Sequence, residues 1–324
     1  MTLKKLAELT GTTVGTVSKA FAEKSEISEE TKNKIFEKAK ELGCFEKYYK
    51  GERKRRLIGI ICPEPESEVY GTLIGKLEKT VSAYGADTLI GVSRFSDERL
   101  SDIFSALAYR AHADGVIIIG SASGIKNPEA LPVVCINQGS DIPNQYDMIS
   151  VDLAKSFVKL IELIKDQGYK KVGFIGEELT VGRLELFKHT MRTVGLPLKN
   201  EYISTPVGVR FAEAGINGMQ ELIDRGAVPE IIITAYDNIA YGAMQKAVEY
   251  GYKIPEDISF VGINDITTNA YAEVPLASIS LCDDEVCEAV VKLILERIEN
   301  RRPKHSQKTI PATLHLRKSF KIKN

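Results

Sequence analysis

From Leu57 onward, short runs of Val and Ile alternate with stretches of helical periodicity, and this alternation constrains the fold more than any other feature of the chain. LIGIIC, TLIGV, DGVIIIG, PVVCIN and MISVD come first; KVGFIG, EIIITA and ISFVGI repeat the rhythm. Runs that are apolar at successive positions bury both faces, so they predict parallel sheets covered by helices on each side. Helices are expected over 70–84, 96–109 and up to 166 in the first half. In the second they are expected over 180–194, from about 211, and up to 250, with a short strand near Tyr202. ASISL, a helix around 285–298 and TIPATLHL come last and are expected to cross back between the halves. At 324 residues and 44% apolar composition the chain is long enough for two or three cores.

Open parallel sheets bind ligands beyond the carboxyl ends of their strands, and two such sheets facing each other make a cleft. The strand ends that matter are therefore 63–70, 92–95, Asn137 with Gln138, Asp152, 177–183, Tyr236 with Asp237, and 264–265.

The first fifty residues have a different pattern. Leu3, Leu6 and Ala7 share one helix face, Thr10-Gly11-Thr12 breaks that helix, and Val14, Val17 and Ala20 are expected to supply the inward face of a second. Ile35, Ala39 and Leu42 recur in a third helix, capped by Ser28 and stopped by Gly43. The second helix turns Thr13, Gly15, Thr16, Ser18 and Lys19 outward, small or cationic groups that suit a major groove. A plain three-helix bundle is the alternative. Charge favours the DNA reader: through Arg56 there are 14 Lys+Arg against 9 Asp+Glu, although the whole chain carries a net charge of −1.

Other classes find little support. The first residues do not read as a signal peptide, no run approaches a membrane span, and a cytoplasmic protein is expected. Cys44, Cys62, Cys135, Cys282 and Cys287 are scattered without paired spacing, and His112, His189, His305 and His315 are far apart, so no metal is expected. There is no GK[ST] loop, no GxSxG elbow and no glycine fingerprint opening a helix, so an enzyme is not expected.

The residues carry a resemblance that runs almost end to end. LAELTGTTVGTVSKAF and ISEETKNKIFEKAKELG in the head, then GYKKVGFIG, AYDNIAYGAMQKAVEYGYKIPEDISFVGINDI and VPLASI in the body, resemble the lactose/galactose-repressor (LacI/GalR) family of bacterial transcription regulators. The resemblance implies a small all-α helix-turn-helix domain followed by an α/β periplasmic-binding-protein-like body of two doubly wound parallel-sheet subdomains. It implies a regulator, expected to be a repressor, that binds operator DNA as a homodimer and responds to a small effector such as a sugar or sugar derivative, with no cofactor. The alternative is a solute-binding protein without DNA regulation. The expected domains are 1–45 for the head, 46–56 for a hinge, and 57–324 for the body. Its N-subdomain covers about 57–167 plus 283–307, its C-subdomain about 168–282 plus 308–324.

Carried over by position, the resemblance implies base reading by Val14, Gly15 and Lys19, with Thr16 and Ser18 near phosphates. Lys19 is the long donor among them. The join CFEKYYKGERKRR has no leucine to wedge into a minor groove. Tyr48 is expected to replace it or to pack against the body, and Arg53, Lys54 and Arg55 form a phosphate-seeking strip whose bland reading is a solvated linker. In the cleft, Arg183 matches an arginine that holds ligand hydroxyls, and Asp265 and Asp237 are acceptors on the other side, Asp237 serving equally well as a helix cap. Tyr70 takes the position of an aromatic that often stacks near the effector, with core packing an equal alternative. Asn137, Asp152 and Tyr236 lie at strand ends. Arg210, beside Phe211, stands where many sugar-binding relatives have an aromatic; with Arg183 and Arg94 it would permit an anionic effector, although exposed salt bridges explain Arg94 and Arg210 equally well.

Overall fold

The structure, a computed structural model, describes residues 2–22, 26–48, 55–120, 122, 125–127, 130–137, 145–281, 284–300 and 305–323. It divides into two compact units, Met1–Arg56 and Leu57–Asn324.

The first unit is helical: α1 (Leu3–Thr10), α2 (Val14–Phe21), α3 (Glu29–Glu41) and α4 (Phe45–Tyr48). Thr2, Thr13 and Ser28 cap the first three, each side-chain oxygen accepting a backbone N–H one turn on. Gly11 ends α1 at φ 66°, in the left-handed region where a residue without Cβ carries no steric cost. Leu6, Ala7, Val17, Ala20, Phe21, Ile35 and Ala39 close the core. Two expectations are corrected here. Val14 is exposed rather than inward, because it occupies the first turn of α2 and the buried positions are Val17, Ala20 and Phe21. Phe45 to Tyr48, read partly as hinge, form a helical turn that extends the head: the Tyr48 ring lies 5.8 Å and the Phe45 ring 5.9 Å from that of Phe21. Tyr48 thus spends its ring on the head's own core.

The second unit holds two six-stranded sheets. Its first lobe contains β1 (Arg56–Cys62), α5 (Glu68–Ala83), β2 (Ala86–Val92), α6 (Asp97–Ser105), β3 (Gly115–Ile119), β4 (Val133–Asn137), β5 (Asp147–Asp152) and α7 (Leu153–Asp166). The second lobe contains β6 (Val172–Ile175), α8 (Val181–Val194), β7 (Ile203–Ser204), α9 (Phe211–Asp224), β8 (Ile231–Thr234), α10 (Asp237–Glu249), β9 (Ser259–Asn264) and β10 (Ala277–Ser280). The chain then returns through α11 (Asp284–Asn300), β11 (Gln307–Pro311) and β12 (Thr313–His315). Sheet order is β11-β5-β4-β3-β1-β2 in one lobe and β12-β10-β9-β8-β6-β7 in the other. β3 and β8, every residue of which is buried, show why unbroken Val/Ile runs form interior parallel strands.

The return crossing falls later than expected. β11 pairs in parallel with β5, placing 307–311 in the first lobe, and β12 pairs antiparallel with β10 in the second. The switch is therefore at Ala312, not after 307. Ser156 Oγ, on α7, donates to the Ala312 carbonyl and ties the crossing to the first lobe.

In the second lobe α9 and α10 pack backbone against backbone. A Cβ at Gly215 would stand 2.0 Å from the Ile239 carbonyl oxygen, and one at Gly242 would stand 1.9 Å from that of Ala212. This approach sets the starts of the two helices side by side at the cleft.

Candidate effector cleft and DNA-reading helix

The carboxyl ends of both sheets line a cavity of about 930 Å³. From the first lobe come Glu64, Tyr70, Ser150 and Asp152, with Gln307 and Thr309 on β11; from the second come Glu177, Arg183, Arg210, Phe211, Tyr236 and Asn264. Backbone strain gathers at the same ends. Arg94, Phe95, Phe211, Asn264 and Asp265 are non-glycine residues with φ between 51° and 109°, conformations held only where the surroundings impose them.

Arg183 lies in the first turn of α8 and reaches across the strand ends. Its guanidinium donates to the Ala235 carbonyl and, at 3.1 Å, to Asn264 Oδ1, so two neutral acceptors fix its plane at the cavity wall. Phe211 and Tyr236 form an aromatic corner, with ring centroids 5.9 Å apart and the Phe211 N–H donating to Tyr236 Oη at 3.0 Å. Tyr236 Oη donates in turn to Glu177, at 3.4 Å, and burial pushes its phenol up to about 12. Asp152 lines the cavity and also caps α7, accepting from the Lys155 N–H at 2.9 Å.

Arg210 is engaged by carboxylates. It bonds Glu64 at 3.0 Å through each terminal nitrogen, and its Nε lies 4.0 Å from Glu177. Neither glutamate was singled out from sequence. With Asp152 they place three carboxylates in the wall against the two guanidiniums of Arg183 and Arg210. Arg94 is outside the cavity lining, exposed, and paired with Glu66 at 2.5 Å. Of the two readings of Arg94 and Arg210, the salt bridges hold and the cationic cleft does not: carboxylates outnumber guanidiniums in its wall.

Two expected acceptors also have other work. Asp237 is fully buried, accepting from Ser278 Oγ at 2.6 Å and from the Ile266 N–H at 2.9 Å. Asp265 accepts from both terminal nitrogens of Arg317, at 2.6 and 3.1 Å. Neither lines the large cavity. The Asn137 side chain falls outside the described residues.

In the head, Thr13, Val14, Gly15, Ser18 and Lys19 are exposed along α2 and Thr16 is half-buried. Thr13 Oγ1 is occupied by its capping bond to the Thr16 N–H, at 3.0 Å. Lys19 pairs with Glu26. Arg55 is exposed, and Arg53 and Lys54 lie outside the described residues.

A capped helix-turn-helix with an exposed second helix, joined to a two-lobed α/β body with a cleft at its strand ends, defines an effector-binding DNA-regulator architecture. The comparisons agree. Residues 161–320 match the family described as periplasmic binding protein-like domain. The HTH-type transcriptional repressor CytR of Escherichia coli is 24% identical, across 98% of this chain and 96% of that protein. Among solved structures, a transcriptional regulator CelR–cellobiose complex is 20% identical with a TM-score of 0.68, covering 99% of this chain and 100% of that one. A lac repressor dimer bound to operator and the anti-inducer ONPF is 19% identical with a TM-score of 0.69, covering 98% of each chain. The chain belongs to the LacI family of helix-turn-helix transcriptional regulators. It is a DNA-binding regulator controlled through an effector-binding body.

Proposed function

We propose that the effector is a neutral, polyhydroxylated molecule about the size of a disaccharide, seated between the lobes with Arg183 and Asn264 on one side and Tyr70, Phe211 and Tyr236 as apolar walls. The observation that carries this reading is the wall itself: about 930 Å³, near the upper end of ordinary ligand pockets, with guanidiniums matched or exceeded by carboxylates. A planar guanidinium offers paired donors to vicinal hydroxyls, carboxylates accept from them, and sugar C–H faces pack on aromatic rings. An anionic effector would meet Glu64, Asp152 and Glu177. Cellobiose in the CelR complex is a ligand of this kind.

The head reads operator DNA through α2, with Val14, Gly15 and Lys19 toward the bases and Thr16 and Ser18 toward phosphates; Arg53, Lys54 and Arg55 add backbone contacts. The working form is a cytoplasmic homodimer, supported by the exposed Leu89 and Ile90 on the edge strand β2 and by the dimeric lac repressor structure. Effector binding changes the balance of lobe arrangements, and operator affinity changes with it. No helix among the described residues is long and apolar enough to cross a membrane. No catalytic step is assigned.

Calorimetry of the full chain against neutral disaccharides and sugar phosphates tests the effector class. Binding of a neutral disaccharide with no detectable heat from its phosphorylated counterpart is expected; the reverse order overturns the assignment.

A further inference from the structure

Arg210 stands between two carboxylates that belong to different lobes. Glu64 follows β1 in the first lobe, and Glu177 follows β6 in the second, which is Arg210's own. The terminal nitrogens of Arg210 hold Glu64 in a two-point bond, 3.0 Å each, across the cleft. Its Nε is buried without a hydrogen-bond partner and lies 4.0 Å from Glu177 Oε1, too far for a bond. The guanidinium rests 4.6 Å above the Phe211 ring, a platform that fixes it to the second lobe whichever partner it takes. The two carboxylate side chains are 8% and 1% exposed, and that of Arg210 is 34% exposed.

Parting the lobes removes Glu64 from Arg210. The movement gives up a two-point charge-assisted bond, and the partly exposed guanidinium is left facing the buried Glu177 carboxylate. Glu177 is held on Oε2 by the Leu179 N–H at 2.8 Å and its carboxylate also caps the Thr180 N–H, while Oε1 receives a long bond from Tyr236 and faces Nε. A small rotation of the guanidinium closes the remaining gap.

We propose that Arg210 is a two-position latch, bonded to Glu64 when the lobes are together and to Glu177 when they part, so that it sets the open–closed balance of the cleft. It acts as a positioning residue: Glu64 stabilises closure and Glu177 stabilises opening by offering the same cation a second seat. This rests on the reading of the cleft as a site that opens and closes, but not on which effector it takes. It also has a signature that ordinary structural roles lack, because neutralising the two glutamates should move the balance in opposite directions.

The test is amide hydrogen exchange of the full-length protein without added ligand, followed in the cleft segments 64–70 and 177–183. Glu64→Gln should speed exchange in both segments, roughly tenfold or more for loss of a charge-assisted pair, and Arg210→Lys should move it in the same direction. Glu177→Gln, which keeps an oxygen for the Leu179 N–H, should slow exchange in segment 64–70. Added salt should speed exchange in the wild type and have little effect in Glu64→Gln. Urea unfolding of each variant identifies any change that is global rather than local. Exchange at 64–70 that rises in both glutamine variants, or is unchanged in both, overturns the latch; because no effector is present, that result leaves the effector assignment standing.

Discussion

Arg317 holds Asp265 through both terminal nitrogens, at 2.6 and 3.1 Å, and thereby pins the last segment of the chain to the end of β9. The carboxylate that position alone would offer to an effector is committed to the fold. Asp265→Ala should leave effector affinity within about twofold while lowering stability by roughly 1.5–3 kcal/mol, the range for hydrogen bonds to charged groups. Chemical denaturation beside calorimetry separates the two, and loss of binding at unchanged stability would return Asp265 to the cleft.

Asp237 predicts a pH dependence. Burial pushes its carboxyl up to about 7 from an ordinary value near 3.8. Between these values the folded chain keeps a proton that the unfolded chain has released, so stability is greatest at the acid end of the window and falls as pH rises through it. Asp237→Asn keeps an acceptor for the Ile266 N–H and a partner for Ser278 but cannot titrate. Relative to this variant, the wild type should lose on the order of 2–4 kcal/mol from this group between pH 4 and 7. Urea unfolding at several pH values checks this; parallel curves would contradict it.

Gly215 and Gly242 should tolerate no side chain. A methyl at either meets a backbone oxygen near 2 Å, which only separation of α9 from α10 can relieve. Gly242→Ala should cost about 1–3 kcal/mol or more and weaken effector binding, because Phe211 and Tyr236 ride on the starts of those helices. Full stability with native affinity would show that the helices have slack.

Gly15 presents the opposite case. It is exposed on α2, and the nearest atom to an added Cβ is Thr13 Oγ1 at 3.7 Å. Gly15→Ala should slow amide exchange within α2, alanine being favoured over glycine in helices by about 1 kcal/mol. It should also weaken operator binding if the backbone approaches a base edge there. Slower exchange with unchanged operator affinity would remove Gly15 from the interface.

What sequence revealed follows from which forces are local. β3 and β8 were legible because their burial is written residue by residue, and Ser28 and Gly11 because a cap is a contact within one turn. Arg210 was visible, but its partner Glu64 lies 146 positions away in a loop with no periodicity, so the pairing had no local mark. Val14 misled because helical spacing cannot tell whether a neighbour covers the first turn. Tyr48 read as linker until its ring was found against Phe21. The crossing at Ala312 was blurred because TIPATLHL is one apolar run that two different sheets divide.

Control of DNA binding from the cleft is tested most directly by operator affinity measured against effector concentration, for the wild type and for Arg183→Ala, on DNA from upstream of the protein's own gene. A neutral disaccharide should shift wild-type affinity by tenfold or more, within the usual range of allosteric coupling. Arg183→Ala should bind the same DNA as tightly without sugar and show no shift with it. An undiminished shift in the variant, or a response confined to a phosphorylated sugar, would contradict the account.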